Sequence, residues 1–311
     1  MKATRDGFGD SLVEIGKNNE NIIVLSADLS KATKTTKFAN RFPERFVECG
    51  IAECNAIGIA SGLSEHDYYP IFSSFASFLT GKYDVIRVSA AYSNASMLLV
   101  GTHAGLAIGK DGVTQMGLED VTLMRSLPNM KVYQPATYNQ CLNMIPKIIN
   151  QKGPSYLRLG RQPVEEIFSS DDDIELGKLQ NIQGSPNSDI CILASGCILV
   201  DAVKASKKIT EKGFDVAILN VHTIKPFDIQ TLLKYARGNI KSFVTVEDHT
   251  VTGGLGSLVA ETLSRHEPKK LLTIGLKDIF PESGAPKDLY SKYQLDALGI
   301  EKQIIEFLGE K

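Results

Sequence analysis

The sequence predicts an α/β protein of two domains: a parallel, doubly wound sheet, followed by a smaller, mostly parallel α/β domain. Three observations predict it. Short, fully apolar runs alternate with helix-periodic segments throughout the 311 residues. These runs do not alternate apolar with polar residues, which marks strands covered on both faces. One polar stretch, SSDDDIELGKLQNIQGSPNSD over 169–189, interrupts the alternation.

Residues 5–18 read as an amphipathic helix. IIVLSADL (22–29) is an apolar run with a polar end, hence a buried strand, and FVEC (46–49) is a second strand candidate. AECNAIGIASGLSE (52–65) spaces small and apolar residues as a helix does. YPIFSSF (69–75) is strand-like, and 78–93 has helical periodicity. SMLLVGTHAGL (96–106) is a strand running into a glycine-rich loop. LEDVTLMRSL (118–127) is a helix stopped by Pro128, and 131–136, 138–151 and 155–160 continue as strand, helix, strand. The segment 169–188 is acidic, then rich in Gly, Ser, Asn and Pro; it reads as a linker with room for one short strand. The first domain is thus expected over 1–168 and the second over 189–311. In the second, 189–195, 214–221, 242–248 and 271–276 read as strands. Residues 198–212, 228–237, 254–266, 286–296 and 299–308 read as helices.

Composition narrows the function classes. Charged residues make up 23% and the net charge is −2, with no basic block, so neither nucleic acid nor an anionic membrane is an expected partner. No apolar run approaches the roughly 20 residues of a membrane span. The N-terminal residues lack the apolar core of a signal peptide, which makes the cytoplasm the default compartment. The five cysteines form no CxxC, and no His or Cys pair has metal-ligand spacing. Free reduced thiols and no metal site in this chain are expected.

In open α/β sheets ligands sit beyond the carboxyl ends of the strands. Asp28 ends the first apolar run and His103 follows the fourth strand candidate. The loop GTHAGLAIGKDGVTQ (101–115) carries His103, Lys110, Asp111 and Gln115 on flexible backbone. That suits a grip on a hydroxylated substrate; the same composition also suits a solvated surface loop. Glu53 is an isolated carboxylate among small and apolar residues. It complements a helix N-terminus, and in apolar surroundings its charged form is disfavoured, as proton sharing requires. Phe72, Phe75 and Phe78 are spaced by three: ordinary core, or an aromatic wall for a flat heterocycle. No GxGxxG follows a strand, and neither GxxxxGK[ST] nor GxSxG occurs.

Together these segments resemble the C-terminal half of transketolase. SADL (26–29), GIAECNAIGIASGL (50–63), PIFSSFASF (70–78), THAGLAIGKDGVTQ (102–115), LEDVTLMRSLPNM (118–130), LRLGRQP (157–163), VEDHTVTGGLGS (246–257) and FPESG (280–284) occur in the family's order and spacing. The resemblance implies a pyrimidine-binding domain followed by the transketolase C-terminal domain, and thiamine diphosphate as cofactor. Glu53 matches the glutamate that hydrogen-bonds N1′ of the aminopyrimidine and so starts deprotonation of the thiazolium carbon. Phe72, Phe75 and Phe78 match the aromatic cradle of that ring, and Asp28 and Leu29 match residues near the thiazolium. His103 and Asp111 match residues that bind sugar hydroxyls. Arg161 matches the arginine that takes a sugar phosphate. The implied reaction moves a two-carbon ketol unit from a ketose to an aldose.

Two departures imply a shifted sugar preference: Gln115 stands where the family usually has a second histidine, and Lys110 where an acidic residue is common. The GDG mark of the domain that holds diphosphate through Mg²⁺ is absent. The resemblance therefore implies an N-terminal partner subunit of about 250–300 residues, carrying the Mg²⁺ ligands, in an α2β2 assembly. Rival readings are the β subunit of a 2-oxo acid dehydrogenase E1 component, a deoxyxylulose-phosphate synthase-like half, and a non-catalytic paralogue. The cluster Glu247, Asp248, His249 reads as structural.

Overall fold

The computed structural model describes residues 1–309. It has twelve strands among these residues: β1 (Ile22–Ser26), β2 (Phe46–Glu48), β3 (Tyr69–Phe75), β4 (Leu98–Thr102), β5 (Lys131–Tyr133), β6 (Ser155–Arg158), β7 (Gln180–Gln183), β8 (Ile190–Ser195), β9 (Val216–Asn220), β10 (Thr223–Lys225), β11 (Ser242–Thr250) and β12 (Lys270–Leu276). They form a seven-stranded sheet, β10-β5-β6-β4-β3-β1-β2, and a five-stranded sheet, β12-β11-β8-β9-β7. Every pairing is parallel except β10 on β5 and β7 on β9. The expected fold class stands.

Burial explains the apolar runs. Every residue of β1, β4, β6, β8 and β9 is buried, because helices cover both faces of each sheet. The helix Thr4–Asn18 lies against Tyr138–Ile148 on one face of the first sheet. The helix Glu53–Ser64 and the segment Ile86–Tyr92 lie together on the other.

Two features depart from the expectation. The stretch 78–93 is not one helix: Ala76–Thr80 stops at Gly81, and Ile86–Tyr92 is a π-helical turn. The first sheet also borrows a strand from beyond the linker. β10 pairs with β5, Thr223 opposite Tyr133 and Lys225 opposite Val132. One apolar cluster runs through the junction, with Leu25, Phe72 and Leu99 at one end and Leu219, Phe243 and Leu255 at the other. Among the described residues no helix is long and apolar enough to cross a membrane.

Candidate active site

The carboxyl ends of β1, β3, β4 and β6 converge on one edge of the first sheet. There the chain leaves each strand abruptly. Asp28, two residues past β1, has φ 58°, and His103, one past β4, has φ 59°. A side chain in this left-handed region costs about 1 kcal/mol or more and persists where neighbours over-determine it.

His103 is buried and fully engaged. Arg5 Nη1 donates to its Nε2 at 3.0 Å. A guanidinium only donates, so Nε2 is the acceptor and the proton sits on Nδ1. Nδ1–H then donates to Thr102 Oγ1 at 2.8 Å, and Thr102 Oγ1 donates to the Ser74 carbonyl at 3.3 Å. Burial, with Arg5, Arg161 and Lys34 nearby, pushes the His103 pKa down to about 3. The imidazole is therefore neutral at pH 7, with a single tautomer.

Ser74 also reaches the other way. Its hydroxyl donates to Glu53 Oε1 at 3.3 Å. Glu53 opens the helix Glu53–Ser64, where its charge complements the N-terminus, and it is 8% exposed. Ser74 thus holds Glu53 through its hydroxyl and the Thr102–His103–Arg5 chain through its backbone carbonyl. Phe75, next to Ser74, stacks on Phe78 with ring centroids 5.2 Å apart and an interplanar angle of 21°. Its other neighbour is the His103 ring, centroid to centroid 4.0 Å.

Phe72 is not part of this wall. It pairs with Leu25 of β1 and Leu99 of β4 and is fully buried in the core. Residues 69–75 are a strand, and positions three apart on a strand point to opposite faces. The stripe of three phenylalanines is thus a pair at the site and one core residue.

Asp28 is exposed, and its backbone N–H donates to Glu48 Oε1 at 2.7 Å; Leu29 beside it is half-buried. Asp111 and Arg161 meet at the rim: Arg161 Nη1 donates to Asp111 Oδ2 at 3.1 Å and to the Ile108 carbonyl at 2.6 Å. The Gln115 carbonyl accepts from Ser77 Oγ at 3.1 Å. Sequence reasoning missed Arg5, Ser74, Thr102 and Glu48. Only Arg5 had a signal, as a cation in the first turn of a helix, where a carboxylate is the favoured charge.

The fit to an aminopyrimidine can be judged from these contacts. A flat ring needs an aromatic face and a carboxyl within reach of a ring nitrogen. The Phe75–Phe78 stack supplies the face. The hydroxyl of Ser74 is the one side-chain partner of Glu53 among the described residues, which leaves its other oxygen for a ligand. The residues fit. Among the described residues no cluster of three or more His, Cys, Asp or Glu side chains is arranged to hold a metal ion.

Behind the sheet edge a buried knot joins the two domains. Arg158 Nε donates to both oxygens of Asp120, at 3.0 and 2.8 Å, and Tyr156 Oη donates to the same carboxylate at 2.8 Å. Arg158 Nη2 donates to the carbonyls of Gly117 and Asp248, each at 2.9 Å. Glu247 accepts from the first amides of the helix Leu255–His266, and burial pushes its pKa up to about 7. His249 Nε2 accepts from Val121 N at 3.2 Å.

Comparison with known proteins agrees with the geometry. Residues 1–166 match the family model for the transketolase pyrimidine-binding domain, and 180–300 match that for the transketolase C-terminal domain. A putative transketolase C-terminal section from Methanocaldococcus jannaschii is 40% identical, covering 98% of this chain and 96% of that protein. The 6-deoxy-6-sulfo-D-fructose transketolase subunit SqwH of Clostridium sp. strain MSTE9 is 35% identical, covering 99% and 95%. A solved structure described as a split gene transketolase, inactive beta4 tetramer, is 39% identical over 98% of each chain, with a TM-score of 0.91. The chain belongs to the transketolase family, a thiamine-diphosphate-dependent group of transferases, and corresponds to its pyrimidine-binding and C-terminal domains.

Proposed function

We propose that this chain is the C-terminal subunit of a two-chain transketolase, moving a two-carbon ketol unit from a ketose to an aldose in the cytoplasm. One observation carries the reading: Glu53 is held by Ser74, whose chain neighbour Phe75 stacks on Phe78. When bound, thiamine diphosphate would supply the nucleophilic carbon and the electron sink. Glu53 would share a proton with N1′ of its aminopyrimidine. Phe75 and Phe78 would hold the ring flat, and Asp28 and Leu29 would lie near the thiazolium. A sugar hydroxyl would displace Arg5 from Nε2 of the neutral His103 and donate to it, and Asp111 and Gln115 would hold further hydroxyls.

Arg5 and Arg161 both act on the charge of His103. They make a cationic face for the anionic end of the sugar. Asp111 already occupies Arg161, so an incoming anion competes with it. The Clostridium relative is named for a sulfonated sugar; a sulfonate and a phosphate share the charge that such a face binds.

The reading places the diphosphate and Mg²⁺ ligands on an N-terminal partner subunit, in an α2β2 assembly. The related split-gene tetramer is described as inactive, as a half-site would be. On the proposed reading the chain has a first domain over 1–168, a linker over 169–188 and a second domain over 189–311. The test mixes the chain with the candidate N-terminal subunit, thiamine diphosphate and Mg²⁺, and follows two-carbon transfer from a ketose phosphate. Glu53→Gln is expected to cost about 10²–10⁴-fold in kcat, the range of a lost acid–base group. Full activity in that variant, or a mixture that binds no cofactor, overturns the reading.

A further inference from the structure

Asp248 belongs to the second domain, near the end of β11, yet its side chain holds backbone of the first. Its Oδ1 accepts from Leu106 N at 3.0 Å, and its Oδ2 accepts from Tyr290 Oη at 2.5 Å. Leu106 lies three residues after His103. Between them, Ala104 N donates to the Leu159 carbonyl at 3.3 Å and Gly105 N to the Gly117 carbonyl at 2.9 Å. Three successive amides therefore have three acceptors, and only the third comes from the second domain. The turn passes directly over the carboxylate: a Cβ on Gly105 would lie 2.0 Å from Asp248 Oδ2.

This turn needs holding. His103 and Gly105 are both left-handed, with φ 59° and 74°. Behind it lies a cavity of about 280 Å³ lined by Ala104, Ala107, Asp248 and Tyr290, so side chains do not pack it solidly there. Leu106 is fully buried, and without Asp248 its N–H is an orphan donor. The hydrogen-bond partners of the Asp248 carboxylate are Leu106 N and Tyr290 Oη, with no side chain of the sugar site among them.

We propose that Asp248, backed by Tyr290, is a positioning residue that sets the turn carrying His103 and thereby the sugar affinity of the site. The second domain then has a part in substrate binding as well as in assembly. This rests on the transketolase reading above.

Amide exchange on the chain reads the contact without turnover. In Asp248→Ala the Leu106 amide is expected to exchange about tenfold faster, the equivalent of one hydrogen bond. Amides of the helix Leu255–His266 should keep their wild-type rates. Asp248→Asn retains an acceptor oxygen and should restore protection. Tyr290→Phe removes only the backing bond and should shift exchange the same way by less, should Asp248→Ala fold poorly. In the assembled enzyme, Asp248→Ala should raise the sugar KM about tenfold with kcat within about threefold. Thiamine diphosphate affinity should be unchanged, and Asp248→Asn should rescue KM. Unaltered exchange at Leu106 overturns the proposal, and so does faster exchange with an unmoved KM. A wild-type assembly that transfers nothing instead overturns the transketolase reading, and the exchange result still decides whether Asp248 sets the turn.

Discussion

His103 is neutral because its surroundings exclude a second proton. Protonating Nε2 would drive a cation against Arg5 Nη1, 3.0 Å away, inside a buried site. Its folded pKa of about 3 lies below the ordinary value of 6.5. Between those values the unfolded chain takes up the proton and the folded chain does not. Stability from this residue is therefore complete above pH 6.5 and lost as pH falls toward 3. His103→Asn should flatten the acid limb of stability against pH by one proton, about 1.4 kcal/mol per pH unit, as urea midpoints across pH 4–6.5 would read. Equal slopes in the two proteins would show that His103 is protonated in the fold. The sequence put His103 just past an apolar run and Glu53 at a helix start, and the structure has His103 one residue past β4 and Glu53 as the first residue of its helix. The sequence could not place Ser74 or Thr102, which look like ordinary strand residues. Their role depends on which strand lies beside which. Phe72 misled for the opposite reason, because spacing by three has meaning only once strand or helix is known.

The helix Glu53–Ser64 buries Ala56, Ile57 and Ala60 and leaves Cys54, Gly58 and Gly62 exposed, four residues apart on one stripe. A Cβ at Gly58 or Gly62 would meet nothing within 4 Å. Around this face Ile51 and Tyr92 are 83% and 85% exposed. Small side chains let a second helix approach closely, and the proposed self-association would use this face. Gly58→Ala and Gly62→Ala should each stabilise the fold by about 0.5–1 kcal/mol through helix propensity. Gly58→Trp should leave the circular dichroism of the chain unchanged but shift it to a smaller species by light scattering. An unshifted mass would place the interface elsewhere. Most elements were legible because each has its own period. β10 was not: it is three residues long, Thr223–Lys225, and contains a single Ile. The break in 78–93 was hidden because Gly81 and Lys82 interrupt a pattern that stays helical on either side.

The two domains are tied together across the change in composition. The linker segment contributes β7 to the second sheet, β10 returns to the first, and one apolar cluster spans both. The Arg158–Asp120 pair is fully enclosed where the domains meet. Removing the second domain would expose core and take away the Asp248 carbonyl to which Arg158 Nη2 donates. Thermal unfolding should therefore show one transition, with calorimetric and van't Hoff enthalpies equal. Two resolved transitions would mean that the junction is weaker than its contacts imply. Hydrophobic period can find each strand but not this union, because the strand that crosses back carries too little pattern to announce its sheet.

The returning strand also imposes a schedule. β6 ends at Arg158 and β10 begins at Thr223, about 65 residues later. At the ribosome's pace of about 5–20 residues per second, β5 waits roughly 3–13 s with an open edge. During that interval the nascent sheet can accept a stranger. Lys131, the one charged residue of β5, pairs with β6 and donates to the Lys152 carbonyl, so the edge at Val132 and Tyr133 is closed only when β10 arrives.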